Sequence, residues 1–208
     1  MIEVTIYNAD GGEVGRMSID EAWFGGEVHA EILRLAVRRH EANQRVGTAA
    51  SKGRGMVEGS TKKIYAQKHT GRARAGTRRT GKRRGGGATF GKVARDFSLE
   101  MPRQMRRRAL DSALLARMKD AELIVVDGLT LDQPKTRLVA KALKAVGADR
   151  TCLLAIPGKD TVLYKSARNI DRVRVRPVMD LTAYDVLWPK RVVFTRPAFE
   201  ALVEARKN

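Results

Sequence analysis

Apolar and polar residues alternate at the start of the chain. Ile2, Val4 and Ile6 are separated by Glu3 and Thr5, and the run Asn8-Ala9-Asp10-Gly11-Gly12 follows before Val14, Met17 and Ile19. The pattern predicts two short strands around a turn. Asp20 then stands where it caps a short turn leading to Trp23 and Phe24. From about Glu27 to Gln44 the period changes. Val28, Ile32, Leu35 and Ala36 recur at spacings of three and four, with Arg34, Arg38 and Arg39 elsewhere on the wheel, which predicts an amphipathic helix.

Between Asn43 and Arg95 neither period is sustained. Order returns at Ser98-Leu99-Glu100-Met101-Pro102, a helix entry with proline near the first turn. Met105, Ala109, Ala113 and Ala116 give that helix an apolar face to about Asp120. Leu123 to Val126 is a short apolar run ending at Asp127-Gly128, which suits a strand buried on both faces. Pro134 to Val146 reads as a helix with Leu138, Ala142, Leu143 and Val146 on one side and Gly147 as its stop. Cys152 to Ile156 is the next buried strand and Thr161 to Asn169 a short helix. Val173 to Val178 is a strand, and its alternating Arg172, Arg174 and Arg176 suggest a solvated or RNA-facing side. Leu181 to Leu187 is helical, Arg191 to Thr195 a strand, and Pro197 to Arg206 a last helix. This alternation predicts an α/β domain over residues 1–208 with a largely parallel sheet covered by helices. Right-handed crossovers make it Rossmann-like. The aperiodic interval 43–95 is an extended loop inserted within that domain, and its length marks function or disorder.

Composition sharpens the picture at that interval. The chain has 208 residues, enough for a single core, and its formal net charge is +18. Residues 43–95 hold fifteen Lys or Arg against one acid, Glu58, so this interval carries +14 and the other 155 residues only +4. It also holds 11 of the 19 glycines. A balance this basic calls for a polyanion as partner. The one cysteine, Cys152, excludes an internal disulfide and a Cys-rich zinc site. The first residues, MIEVTIYNADGG, have neither the basic nor the apolar region of a secretory signal, and no apolar run is long enough to span a membrane. The expectation is a soluble cytoplasmic protein with no membrane contact.

Enzyme motifs fit poorly. Gly76-Thr77-Arg78-Arg79-Thr80-Gly81-Lys82 matches most of a phosphate-binding P-loop, but Arg83 stands where Ser or Thr is required, and no strand–loop–helix frame surrounds it. In two glycine-rich runs, Phe90 and Glu58 occupy the place of the third glycine of a dinucleotide fingerprint. His29, His40 and His69 have no metal spacing; the first two read as solvated or capping residues. Asp127, Asp160 and Asp180 fall near strand ends, where turn and cap chemistry accounts for each. No catalytic residue, metal or cofactor is expected. The insertion invites a different reading, because glycine permits close backbone approach and arginine bridges phosphate oxygens and stacks on bases. Together they suit a segment that orders on RNA.

The same residues carry a resemblance. Lys62-Lys63, Gln67-Lys68, Thr70 to Arg74, Gly76, and Gly86 to Phe90 resemble the signature segment of the large-subunit ribosomal protein four family. Further likeness runs through Arg103 to Leu115, Leu123 to Val126, Pro134-Lys135-Thr136 and Ala167-Arg168-Asn169. Two stretches depart from the usual bacterial pattern. Ile64-Tyr65-Ala66 stand where Pro-Trp-Arg is common, with His69 in place of glycine, and Thr80 to Arg84 replace a Pro- and aromatic-containing stretch. The resemblance implies a structural constituent of the large ribosomal subunit, in the cytoplasm, that binds large-subunit rRNA, supports assembly and contacts neighbouring large-subunit proteins. It also implies a loop tip that lines the nascent-peptide exit tunnel. Expected RNA contacts are Lys52, Arg54, Lys62, Lys63, Gln67, Lys68, Arg72, Arg74, Arg78, Arg79, Lys82, Arg83, Arg84, Lys92 and Arg95, with Tyr65 and His69 stacking on bases. Arg103, Arg106, Arg107 and Arg108 extend the footprint along a helix start. Two rivals remain open on the residues alone: an RNA-modifying enzyme whose basic loop grips its substrate, and a nucleic-acid chaperone outside the ribosome.

Overall fold

The opening alternation forms β1 (Ile2–Asn8), which pairs antiparallel with β2 (Glu13–Ile19). The turn between them is tied by Asn8, whose Oδ1 accepts from the backbone N–H groups of Asp10 at 3.1 Å and Gly12 at 2.7 Å. A 3₁₀ turn at Glu21–Phe24 follows, and the Asp20 carboxylate accepts from Ala22 N–H at its start. The structure, a computed structural model, describes residues 1–207. These fall into two compact units: Met1–Glu41 together with the chain from Glu100 onward, and Ala42–Leu99.

The first unit is α/β. After α1 (Ala30–Gln44), which ends just beyond it, come α2 (Arg103–Lys119), β3 (Leu123–Asp127), α3 (Thr136–Ala145), β4 (Cys152–Ile156) and α4 (Thr161–Ala167). β5 (Val173–Pro177), α5 (Ala183–Leu187), β6 (Arg191–Thr195) and α6 (Arg196–Lys207) complete it. The six strands form one sheet in the order β2-β1-β3-β6-β4-β5, parallel everywhere except at β1–β2.

Side chains sort to the two sheet faces by residue parity, as strand geometry requires. Leu123 and Val125 of β3, Leu153 and Ala155 of β4, and Val192 and Phe194 of β6 pack into one core with α2, α5 and α6. Ile124, Val126, Leu154, Ile156 and Val193 pack into a second core with α3 and α4. Cys152 lies in that second core, and burial pushes its thiol up to about 12. It is a packing residue, protonated and unreactive at neutral pH.

Several helical faces differ from the sequence expectation. In α1, Ile32, Leu33 and Ala36 pack on the core while Leu35 stays exposed, and Val28, expected on the same helix, lies exposed before its start. In α3 the buried position is Val139 rather than Leu138. Around Ser112–Leu115, α2 is buried on every side, wider than the stripe through Met105 and Ala116, because the helix lies between the sheet and α5. Its Arg117 donates to the carbonyls of Val186 (3.1 Å), Leu187 (2.6 Å) and Pro189 (2.7 Å), which satisfies acceptors left open at the end of α5. Of the β5 arginines, Arg174 lies 3.8 Å over the Trp188 ring and Arg176 stands 3.9 Å from the buried Asp185 carboxylate, so both are engaged within the body.

Candidate nucleic-acid interface

The unit Ala42–Leu99 has no helix and no multi-residue strand beyond the end of α1. Among the described residues within it, Gly87 alone is buried. With so little apolar surface to bury, hydrogen bonds of its backbone N–H and C=O groups define its shape. They link the two limbs of the unit in sequence order, from its ends toward its middle. Leu99 N–H donates to Asn43 Oδ1 (2.8 Å), Arg95 N–H to Gly47 O (3.1 Å), Ser51 N–H to Lys92 O (2.8 Å) and Ala88 N–H to Lys52 O (2.9 Å). Farther out, Ile64 N–H donates to Gly76 O (3.2 Å) beside a single bridge between Lys63 and Thr77. The Tyr65 hydroxyl donates to Ala73 O. The chain reverses at His69 and Gly71, both at φ +65°. This is a left-handed conformation that suits glycine and that histidine adopts at a cost.

Glycine does more here than the sequence suggested. A Cβ on Gly86 would lie 1.9 Å from Thr80 O, and one on Gly87 would lie 2.2 Å from Arg54 N. The close approach these glycines permit is between segments of the insertion itself.

The expected contact residues sort into groups. Arg54, Arg74, Arg78, Lys82, Arg83 and Arg84 converge on one hollow of about 1290 Å³. Lys63 reaches inward, donating to Gln67 Oε1 at 2.6 Å and Ala75 O at 3.2 Å, so Lys63, Tyr65 and Gln67 brace the outer turn. Lys52, Lys62, Lys68, His69 and Arg72 are exposed, and Arg79 is half-buried with its Nε lacking a partner. Lys92 and Arg95 line a second hollow with Arg45 and Phe97, two residues that sequence reasoning missed because they flank the glycine-rich motif. In the body, Arg103, Arg106 and Arg107 share a cleft of about 410 Å³ with Arg39, His40 and Tyr184. Arg108 points elsewhere, toward Phe24, His29 and Asp111. One helix cannot present three consecutive residues to one side. His40 stacks on Tyr184 with centroids 3.9 Å apart.

Electrostatics separate the two units. Every ion pair among the described residues joins groups of the body, and no Lys or Arg of 42–99 pairs with an acid. Asp96, near the base, is held by Ser98, whose hydroxyl and N–H donate to it at 2.6 and 2.8 Å and lower its pKa. Two of the acids near strand ends are likewise occupied. Asp127 pairs with Arg196 at 2.8 Å, which holds its carboxyl below the usual range, and Asp160 caps α4. Among the described residues no three His, Cys, Asp or Glu side chains gather as metal ligands do, and no helix is long and apolar enough to cross a membrane.

Known proteins share this sequence over nearly its whole length. Residues 17–205 match the family described as ribosomal protein L4/L1. The large ribosomal subunit protein uL4 of Symbiobacterium thermophilum is 43% identical over 204 residues, covering 98% of this chain and 99% of that protein. Its counterpart in Rhodopirellula baltica is 42% identical over 201 residues, covering 96% and 90%. That of Dehalococcoides mccartyi is 42% identical over 203 residues, covering 98% and 97%.

Proposed function

The chain belongs to the ribosomal protein L4/L1 family, whose members are structural rather than catalytic, and from that premise we propose that its basic insertion binds large-subunit rRNA and supports subunit assembly. The observation that carries this reading is the unpaired charge. Residues 43–95 bring fifteen cations and one acid, none of those cations has an acidic partner, and the unit buries one glycine. Such a segment gains its packing and its counter-charges from a polyanion.

The hollow formed by Arg54, Arg74, Arg78, Lys82, Arg83 and Arg84 is the centre of the proposed footprint, with Lys52, Lys62, Lys68, Arg72, Arg79, Lys92 and Arg95 around it. Arg103, Arg106, Arg107 and Arg108 add contacts from the body. Tyr65 and His69 lie at the outer turn, where the reading puts the exit tunnel and the nascent peptide. A Rossmann-like winding of the sheet, an insertion that extends into the rRNA and contacts with neighbouring large-subunit proteins belong to the same reading. Both hydrophobic cores are built from residues outside 42–99, so deleting residues 60–92 leaves them intact. The expected result is unchanged thermal unfolding of the body and a loss of rRNA affinity of about two orders of magnitude or more. Retained affinity in the deletion variant, or native protein that sediments away from the large subunit, would contradict the proposal.

A further inference from the structure

We propose that Arg45, Lys92 and Arg95, organised by the ring of Phe97, form a phosphate clamp for the RNA backbone at the base of the insertion. The proposal rests on the RNA-binding reading above and adds Arg45 and Phe97 to it.

Arg45 Cζ lies 3.8 Å from the Phe97 ring centroid and Arg95 Cζ lies 4.4 Å from the same centroid. Two guanidinium groups thus share one aromatic ring. Stacking draws each cation to the ring's negative face and fixes its plane, while the N–H groups at its edge stay available to an acceptor. Lys92 lines the same hollow of about 620 Å³, whose lining includes no acid. The nearest acid in sequence, Asp96, is committed to Ser98 at 2.6 Å. Like charges gathered at one ring repel, and an anion bridging them relieves that repulsion.

The arrangement is set by backbone rather than by chance side-chain placement. Gly47 sits at φ +71°, and a Cβ there would lie 2.1 Å from Arg95 O and 3.0 Å from Phe97 Cδ2. Glycine therefore lets this limb close on Arg95 and the ring, where Arg95 N–H donates to Gly47 O at 3.1 Å. The site is assembled before its ligand arrives, which lowers the ordering cost of binding. Paired guanidinium forks and an ammonium match the closely spaced phosphate oxygens of a nucleic-acid strand. Phe97 is a positioning residue, and the three cations touch the phosphates.

The test measures binding of the full-length protein to a large-subunit rRNA transcript over a salt series. Phe97→Tyr is expected to bind as the parent does. Phe97→Leu and Arg45→Gln are each expected to weaken binding about 2- to 5-fold and to flatten the log–log salt slope by about 0.7–0.9 for each phosphate no longer neutralised. The double variant Arg45→Gln with Phe97→Leu should be weaker than Arg45→Gln alone, because Phe97 also positions Arg95, but by less than the product of the two single losses. An unchanged slope in Phe97→Leu, or equal losses in Phe97→Tyr and Phe97→Leu, overturns the clamp. So does Arg45-dependent binding of a polyglutamate peptide with no Arg45 dependence toward rRNA, which would make it a protein-docking site. A shallow slope in the parent protein instead defeats the underlying RNA-binding reading.

Discussion

A methyl group on Gly87 would stand 2.2 Å from Arg54 N and 2.4 Å from Gly53 C, backbone atoms next to the Lys52–Ala88 hydrogen bond. Gly55, by contrast, has open space around its Cβ position. Gly87→Ala should therefore separate the two limbs and disperse the six basic side chains of the large hollow, while Gly55→Ala should not. The expected outcome is a loss of rRNA affinity of about tenfold or more for Gly87→Ala, no more than about twofold for Gly55→Ala, and no change in body unfolding for either. Equal affinities would mean that the hollow forms only on the RNA. The glycines were visible in the sequence as licences for close approach, but the partner approached was not. Nothing local to Gly85-Gly86-Gly87 says that Arg54, more than thirty positions earlier, lies against it. Arg45 and Phe97 escaped notice for the same reason, since a ring shared by two guanidinium groups is a tertiary fact.

Among the elements, α5 (Ala183–Leu187) is short, so its ends decide whether it forms. Thr182 and Asp185 make a reciprocal capping box there: Thr182 Oγ1 accepts from Asp185 N–H, and the Asp185 carboxylate accepts from Thr182 N–H and hydroxyl. Asp185 is only 3% exposed, so removing the hydroxyl also strips a buried carboxylate of a donor. Thr182→Ala is expected to lower body stability by about 0.5–2 kcal/mol, read as a shift in denaturant midpoint at constant m-value. No shift would show that Arg176 and the core hold α5 without its cap. Strands and helices of this body were largely legible, because β3, β4 and β6 are continuous apolar runs and the helices between them keep a 3.6-residue period. Phase was less legible. Leu138 and Val139 are equally apolar, and which one turns inward depends on how α3 meets the sheet. The parallel pairing of β1 with β3 likewise joins segments more than a hundred residues apart and has no local signature.

At the scale of the whole molecule, charge is partitioned as structure is. The body's carboxylates answer many of its cations, from Arg117–Glu122 to Arg206–Asp111, whereas the insertion's cations have no answering acids. The composition step at 43–95 was readable from counting alone, and the likeness through residues 62–91 pointed to the family before any geometry. The series of hydrogen bonds that orders the limbs was not, since backbone–backbone bonds leave no compositional trace. This partition makes a quantitative demand on binding. If on the order of ten phosphates are neutralised by the insertion, each releases condensed counterions, and the slope of log affinity against log salt should be about −7 to −9. Charge-removing substitutions within the large hollow, such as Arg78→Gln, should reduce that slope by about 0.7–0.9 each. Arg16→Gln, at a body residue already paired with Glu3 at 3.1 Å, should leave it unchanged. A titration of the intact protein with the rRNA transcript reads both quantities, and a slope near −2 would contradict a footprint of this size.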